Sequence, residues 1–239
     1  MKQFFKYFLA SGLAYLVFGV IFLSIMIGIG SSMFKGKPPV TVKNNSILHL
    51  KLDKPISETS YFELDQSTFQ PSEKMGINDI VRSIDYAKTD DKIKGIYFEP
   101  TSFSAGLANL EELHDALEDF KESGKFLVSY SEGYSQASYY LASVSDEIYI
   151  YPTGSLAWSG LSSERMFFSQ MLDKLEIDMQ IIRGSNNKFK SAVEPFILDK
   201  MSPANREQTE KYMFSFWNHM VSEISKSRNI GVEQLNTLA

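Results

Sequence analysis

The feature that most constrains this chain is an uncharged, apolar run near its N-terminus. No residue between Lys6 and Lys35 carries a charge, and residues 7–34 read YFLASGLAYLVFGVIFLSIMIGIGSSMF. A helix needs about 20 apolar residues to cross the hydrocarbon core of a bilayer, which is about 30 Å thick. Residues 1–35 are therefore predicted to form a short N-terminal tip followed by a single transmembrane anchor.

The alternative interpretation of this run is a cleaved signal peptide. The apolar region of a signal peptide is about 7–15 residues long and is followed by a small-x-small cleavage site. The run here is longer and no Ala-x-Ala site follows it, which favours an uncleaved anchor. Lysines flank the run on both sides, so the positive-inside rule does not fix its orientation. The Pro-containing stretch 36–45 (GKPPVTVKNN) is predicted to link the anchor to a folded domain at 46–239.

Composition and motifs exclude several classes of function. The chain has no cysteine, which rules out thiol catalysis, disulfide bonds and cysteine-based zinc sites. A net charge of −5 offers no basic surplus for nucleic acid. Neither a Gly-rich phosphate loop nor a G-x-S-x-G nucleophile turn occurs. His49, His114 and His219 are far apart in sequence and are interpreted as surface or packing residues, so no metal or cofactor is predicted.

Strand and helix patterns alternate after the linker. Strands are predicted from β-branched or alternating apolar residues at 47–52, 94–99, 126–130, 147–151 and 179–183. Helices are predicted from apolar spacings of three and four at 76–88, 107–121, 136–144, 165–175 and 203–228. Ser202 is the expected N-cap of the last helix, with Pro203 at its first position. This order predicts an α/β domain with a mainly parallel sheet and right-handed crossovers.

One lysine of this domain stands in an apolar setting. Lys190 lies in the segment NKFKSAVEPFILD, residues 187–199. A lysine amine acts as a general base only when it is neutral, which requires its pKa to fall from about 10.4 to roughly 7–8, and burial among apolar groups has that effect. A lysine beside apolar residues also commonly extends its amine into water. The residues alone leave both a catalytic and a surface lysine open.

Several segments resemble the S49 family of serine peptidases in its long, two-domain form. The lysine segment supplies FKSAVEPF at 189–196, followed by MSPANRE at 201–207. Three further segments agree in the same order: KGIYFEP (94–100), SGKFLVSYSEGYSQASYYLAS (123–143) and LDKLEID (172–178). The likeness covers nearly the whole chain. It implies a Clp protease/crotonase-like β–α spiral domain preceded by a single transmembrane helix, and it implies that Lys190 is the general base of a Ser–Lys dyad.

The resemblance also implies that the nucleophile lies outside this sequence. Residues 46–239 correspond to the first, lysine-bearing domain of the family, whereas the second domain carries the serine in a Ser-Gly-Gly-Tyr-like turn. Gln136 occupies the nucleophile position in our register, and an amide cannot attack a carbonyl. Ser135 and Ser138 are nearby, but they are expected to cap the helix or to lie at the surface. The segment 104–106 (Ser-Ala-Gly) departs from the family's Gly-Gly oxyanion segment, so this half alone is expected to be inactive.

The resemblance further implies a location, substrates and partners. It points to a bacterial inner membrane, with the catalytic domain on the periplasmic side and remnant signal peptides or other apolar peptides as substrates. It implies a second peptidase domain and a homotetramer, without a cofactor. Two other functions remain to be weighed: a non-catalytic scaffold or oligomerisation module, and a crotonase-type acyl-CoA enzyme, which the fold permits. The anchor and the missing Gly-rich oxyanion segment argue against the acyl-CoA enzyme.

Overall fold

The computed structural model describes residues 1–33, 41–64, 71–184 and 186–239. These residues form two compact units, Met1–Val42 and Lys43–Ala239. The predicted linker at 36–45 lies outside the described residues up to position 40, as do the last two residues of the predicted anchor.

The first unit is a single long helix, α1 (Lys2–Met33). Its portion Lys2–Gly28 has a mean hydropathy of 2.3 and is the one helix among the described residues that is long and apolar enough to cross a membrane. Apolar side chains are exposed on every side of this portion. A helix that is apolar all round requires apolar surroundings. The predicted N-terminal apolar helix is confirmed, and it is compatible with membrane anchoring.

The second unit alternates strands and helices. Its strands are β1 (Ser46–Leu52), β2 (Ile56–Ser57), β3 (Tyr61–Leu64), β4 (Pro71–Gly76), β5 (Ile93–Pro100), β6 (Phe126–Ser131) and β7 (Glu147–Ile150). Its helices are α2 (Ile77–Thr89), α3 (Leu107–Lys121), α4 (Gln136–Ala142), α5 (Ser169–Lys174), α6 (Glu194–Ile197), α7 (Pro203–Arg228) and α8 (Val232–Leu238), with a 3-10 turn at Ser191–Val193.

The main sheet is parallel and its strands follow chain order. β1 pairs with β5, β5 with β6 and β6 with β7, each pair parallel. The helices between these strands pack in the same succession, α2 on α3 and α3 on α4, and therefore lie on one face of the sheet. Successive crossovers in one direction produce a β–α spiral, whereas a doubly wound sheet reverses its strand order. The predicted α/β class with a parallel sheet is confirmed.

The core lies between this sheet and the helices α2, α3 and α4. Ile96 and Phe98 of the central strand β5 are fully buried. The predicted apolar faces of α2 and α3 are also confirmed, since they bury Ile77, Ile80, Ile84, Ala87, Leu110, Leu113, Leu117 and Phe120. Full burial of one such large side chain contributes about 1.5–3 kcal/mol. Leu107 is the exception: it is 39% exposed at the start of α3.

Two predicted elements differ from the structure. The strand predicted at 179–183 is wrong, because these residues are irregular and Ile182 is fully exposed. An apolar run forms a strand only where a neighbouring strand accepts its backbone hydrogen bonds, and the described residues offer this run none. The helix predicted at 165–175 is shorter, Ser169–Lys174. A second, three-stranded sheet in the order β2-β4-β3 was not predicted, because its strands are short, two to six residues each.

His114 of α3 is a core residue without a hydrogen-bond partner among the described residues. Its ring is fully buried and stacks on Tyr140 of α4, with ring centroids 4.4 Å apart and planes 13° from parallel. Within the described part of the chain, neither ring nitrogen nor the Tyr140 hydroxyl has a hydrogen-bond partner. Burial lowers the pKa of His114, and the nearby carboxylates of Glu223 and Asp115 offset this only in part. The imidazole is therefore packed in its neutral form.

Neutral burial of His114 predicts a stability that depends on pH. The unfolded chain takes up a proton near pH 6.5 that the folded state binds only at lower pH, so the free energy of unfolding falls as pH drops through about 6.5. His114→Phe keeps the stacking and removes the titrating group. We expect the free energy of unfolding of His114→Phe, measured with denaturant, to change less between about pH 7 and 5 than that of the wild type. The slopes should differ by at most about 1.4 kcal/mol per pH unit. His49→Phe, at an exposed histidine, is the control; an unchanged slope in His114→Phe would contradict this account.

Candidate active site

Lys190 lies in a loop just before the 3-10 turn Ser191–Val193. Its backbone N–H donates to the carbonyl of Asn187 at 2.9 Å, and its side chain is exposed. The amine makes no hydrogen bond or ion pair with any residue that the structure describes. The apolar neighbours Phe189 and Phe196 are themselves 45% and 40% exposed, because both rings lie at the surface. Within this chain, these neighbours therefore do not bury Lys190.

Short helices hold the lysine segment from one side. The Phe168 N–H at the start of α5 donates to the carbonyl of Pro195 at 2.6 Å, and the Ser169 hydroxyl donates to the carbonyl of Leu198 at 2.8 Å. The Phe168 and Phe196 rings stack at 6.1 Å. These contacts bind α6, which follows the lysine turn, to α5.

Glu194 holds the same segment from the other side. It is 5% exposed, and its carboxylate accepts hydrogen bonds from the Ser202 hydroxyl at 2.6 Å, the Asn205 side-chain amide at 2.7 Å and the Ser202 N–H at 3.3 Å. Burial opposes the charged form, but the hydrogen bonds from Ser202 and Asn205 outweigh it and lower the pKa of Glu194. The carboxylate is therefore ionised at neutral pH. Ser202 is also the N-cap of α7, as predicted, and accepts from the Asn205 N–H at 3.1 Å.

An apolar pocket of about 450 Å³ opens beside the lysine turn. Ser191, the residue after Lys190, forms part of its wall together with Asn205 of α7. The rest of the lining comes from the start of α3, the segment 161–165 and the middle of α7, and includes Leu107, Leu161, Tyr212, Met213, Phe216 and Met220. This pocket was not predicted, because its walls come from segments distant in sequence.

The two serines near the start of α4 are engaged in capping that helix. Ser135 is its N-cap, and its hydroxyl accepts from the Ser138 N–H at 3.1 Å. The Ser138 hydroxyl is buried and donates to the Ser135 carbonyl at 3.0 Å. Neither hydroxyl contacts a lysine, histidine or carboxylate within the described ranges. This geometry agrees with the capping role expected of Ser135, whereas Ser138 lies buried in the first turn of α4 and is neither the cap nor a surface residue.

The side chain of Gln136, at the predicted nucleophile position, is hydrogen-bonded to backbone groups. Its amide nitrogen donates to the Gly160 carbonyl at 3.3 Å, and its amide oxygen accepts from the Ser159 N–H at 3.4 Å. A second hydrogen bond holds the same segment a few residues earlier: the Tyr134 N–H donates to the Ser155 carbonyl at 2.9 Å. Together, these hydrogen bonds of Gln136 and Tyr134 hold residues 155–160 next to the start of α4. No contact between Lys190 and the start of α4 occurs among the described residues.

Two further groups of polar residues have structural roles. The segment 104–106 precedes α3, and the Ser104 carbonyl accepts from the Ile56 N–H at 2.8 Å, so it braces β2. Ligand atoms of His114, Asp115 and Glu118 lie within 4.8 Å of one another, close enough to hold a metal ion. Since the His114 ring is buried against Tyr140, we assign this histidine to packing.

Comparison with known proteins places these features in context. Residues 119–239, which contain both Gln136 and Lys190, match the model of Peptidase family S49. The chain is 34% identical to Protease 4 of Haemophilus influenzae over 231 residues, covering 92% of this chain and 37% of that protein. It is 28% identical to the chloroplastic Serine protease SPPA of Arabidopsis thaliana over 150 residues, covering 62% of this chain and 22% of that protein. The chain thus spans about a third or less of the length of these relatives.

Among solved structures, the chain is similar to a serine-to-alanine mutant of the 1510-N membrane-bound stomatin-specific protease. The TM-score is 0.40 at 12% sequence identity, over 82% of this chain and 69% of that chain.

Proposed function

This chain belongs to peptidase family S49, and we propose that it forms the membrane-anchored, lysine-bearing part of a serine peptidase. In this proposal Lys190 is the general base, and a serine outside these 239 residues is the nucleophile. The observation that carries the proposal is the family match across the lysine segment, combined with a loop that presents the Lys190 amine at the surface, free of any described partner. A base that serves a nucleophile on another domain has to be accessible in this way.

The proposed reaction is acyl transfer. Neutral Lys190 takes the proton from the serine hydroxyl while the serine oxygen attacks the peptide carbonyl carbon. The tetrahedral intermediate collapses to an acyl-enzyme, the C–N bond breaks, and the lysine ammonium gives its proton to the leaving amine. Water then hydrolyses the ester, with the lysine again acting as base. The lysine thereby fills the role of the histidine in a serine triad.

The proposal requires a second surface to cover Lys190. A lysine amine is neutral near pH 7 only when it is removed from water, and this chain leaves the Lys190 side chain exposed. Exposed apolar side chains in the same segment support such a surface, since Phe189, Phe196 and Ile197 are each 40% or more exposed. We propose that the covering surface belongs to a second peptidase domain or to another subunit of a homotetramer.

The pocket beside Ser191 supports an apolar peptide as the substrate. Leu161, Met213 and Phe216 line it, and an apolar side chain of a peptide bound there would leave water. Remnant signal peptides, which are apolar segments left in the membrane, fit this chemistry.

The α1 helix supports an anchored enzyme. We propose a single span in the bacterial inner membrane, with the second unit on the periplasmic side. The full-length protein should then remain in membranes washed with alkaline carbonate, and removal of residues 1–42 should release it; a wild-type protein that washes off would contradict the anchor.

The base assignment is tested in the full-length protein with Lys190→Ala. Loss of a general base lowers the rate by about 10²–10⁴-fold, so we expect kcat for an apolar peptide substrate to fall by at least about 100-fold. Lys188→Ala is the matched control, because Lys188 is also exposed and lies two residues away, over the ring of Phe189. Its kcat should stay at the wild-type level.

A second control separates helix capping from nucleophilic attack. Ser135→Ala should retain activity and lose about 1 kcal/mol of stability, as expected for a lost N-cap. If Lys190→Ala hydrolyses the peptide at the wild-type rate, Lys190 is not the base, and the scaffold or oligomerisation module becomes the better account of this domain.

A further inference from the structure

Glu194 is an unusual feature of the lysine segment, because it is a buried, ionised carboxylate to which no basic side chain of the described residues is bonded. Its hydrogen bonds come from Ser202 and Asn205, which lie eight and eleven residues further along the chain. An isolated buried charge is costly unless hydrogen bonds compensate it. Here three hydrogen bonds from the N-cap and first turn of α7 do so, and the positive charge of Arg183 also favours the carboxylate.

The first turn of α7 is a rigid and electrostatically suitable anchor. α7 has 26 residues, and a helix N-terminus carries a partial positive charge that stabilises a carboxylate. The Ser202 hydroxyl already caps the helix by accepting from the Asn205 N–H. The cap therefore does not need Glu194, and what the carboxylate adds is a link between two separate segments of the chain.

That link ends close to Lys190. Glu194 is four residues after the lysine and begins α6, directly after the 3-10 turn at Ser191–Val193. The same Asn205 that bonds Glu194 lines the apolar pocket together with Ser191. The carboxylate thus fixes the lysine turn to a helix that lines the pocket.

We infer that Glu194 is a positioning residue, which holds the Lys190 turn against the N-terminus of α7 through Ser202 and Asn205. This inference rests on the proposed role of Lys190. A general base works within hydrogen-bond reach of the proton that it removes, and a displacement of about 1 Å costs roughly 100-fold in rate. Glu194 touches neither substrate nor the reacting atoms, so it acts only through the lysine turn.

The test uses the full-length protein with Glu194→Gln, which keeps the side-chain size and removes the charge. We expect kcat to fall by about tenfold or more while KM changes by less than about twofold, because the chemical step suffers and binding does not. Glu207→Gln is the matched control: it removes an exposed carboxylate near the same end of α7 and should leave kcat unchanged. A wild-type kcat in Glu194→Gln would overturn the inference.

A reversed pair provides the rescue. In Glu194→Gln combined with Asn205→Asp, the amide at 194 donates to the carboxylate at 205, so the link is retained with opposite polarity. We expect this double variant to recover most of the wild-type kcat. If Glu194→Gln does not melt cooperatively, the inference is tested with the double variant only. A folded double variant with near-wild-type kcat supports the inference. A folded double variant whose kcat stays low overturns it.

A readout independent of activity separates this inference from the proposed function. The rate at which acetic anhydride acetylates Lys190 relative to Lys188, read by mass spectrometry, should change in Glu194→Gln and return in the double variant. If Lys190→Ala keeps its activity, the proposed function is wrong. The ratio of the two acetylation rates then still tests whether Glu194 positions the Lys190 turn. If Lys190→Ala is inactive but the ratio is the same in all variants, the positioning role fails and the base assignment stands.

Discussion

Parallel pairing in chain order is the constraint on which the rest of this structure depends. Each parallel strand pair requires a crossover, and the order β1-β5-β6-β7 stacks α2, α3 and α4 side by side on one face. α7 then packs on α4. The His114–Tyr140 stack joins α3 to α4, with His219 of α7 at 6.5 Å from the Tyr140 ring. The support for Lys190 therefore runs from the sheet through α4 and α7 to Glu194.

Gln136 and Lys190, the two positions that the family resemblance singled out, differ in their hydrogen bonding. Gln136 is fastened to the backbone at Ser159 and Gly160, and it offers no nucleophile. The Lys190 amine has no such contact with the described residues and lies at the surface. A domain that has a glutamine at the predicted nucleophile position and an accessible lysine as the proposed base fits one half of a two-part active site. Exposed apolar side chains of the same segment, Phe189, Phe196 and Ile197, are available for the proposed covering surface.

The sequence predicted those elements whose periodicity is strong and local. The helix at 107–121 and the N-cap Ser202 agree with the structure residue for residue, because apolar spacing and capping act within a few positions. The strand at 179–183 failed, because an apolar run cannot reveal whether a partner strand exists. The sequence left open whether Lys190 is buried or exposed for a similar reason, since apolar neighbours in sequence can all lie at the surface. The role of Glu194 was missed because its partners Ser202 and Asn205 are eight and eleven residues away, and the spacing of residues does not reveal hydrogen bonds between separate segments.

The central claim is that Lys190 meets a serine supplied from outside this chain, and one measurement tests it most directly. An experimental structure of the full-length protein gives the distance from the Lys190 Nζ to the nearest serine Oγ outside residues 1–239. The account predicts a buried amine within hydrogen-bond reach of that oxygen, about 2.6–3.2 Å, or slightly longer without substrate. A Lys190 that remains in solvent, with no serine of another domain or subunit near its amine, would contradict the account.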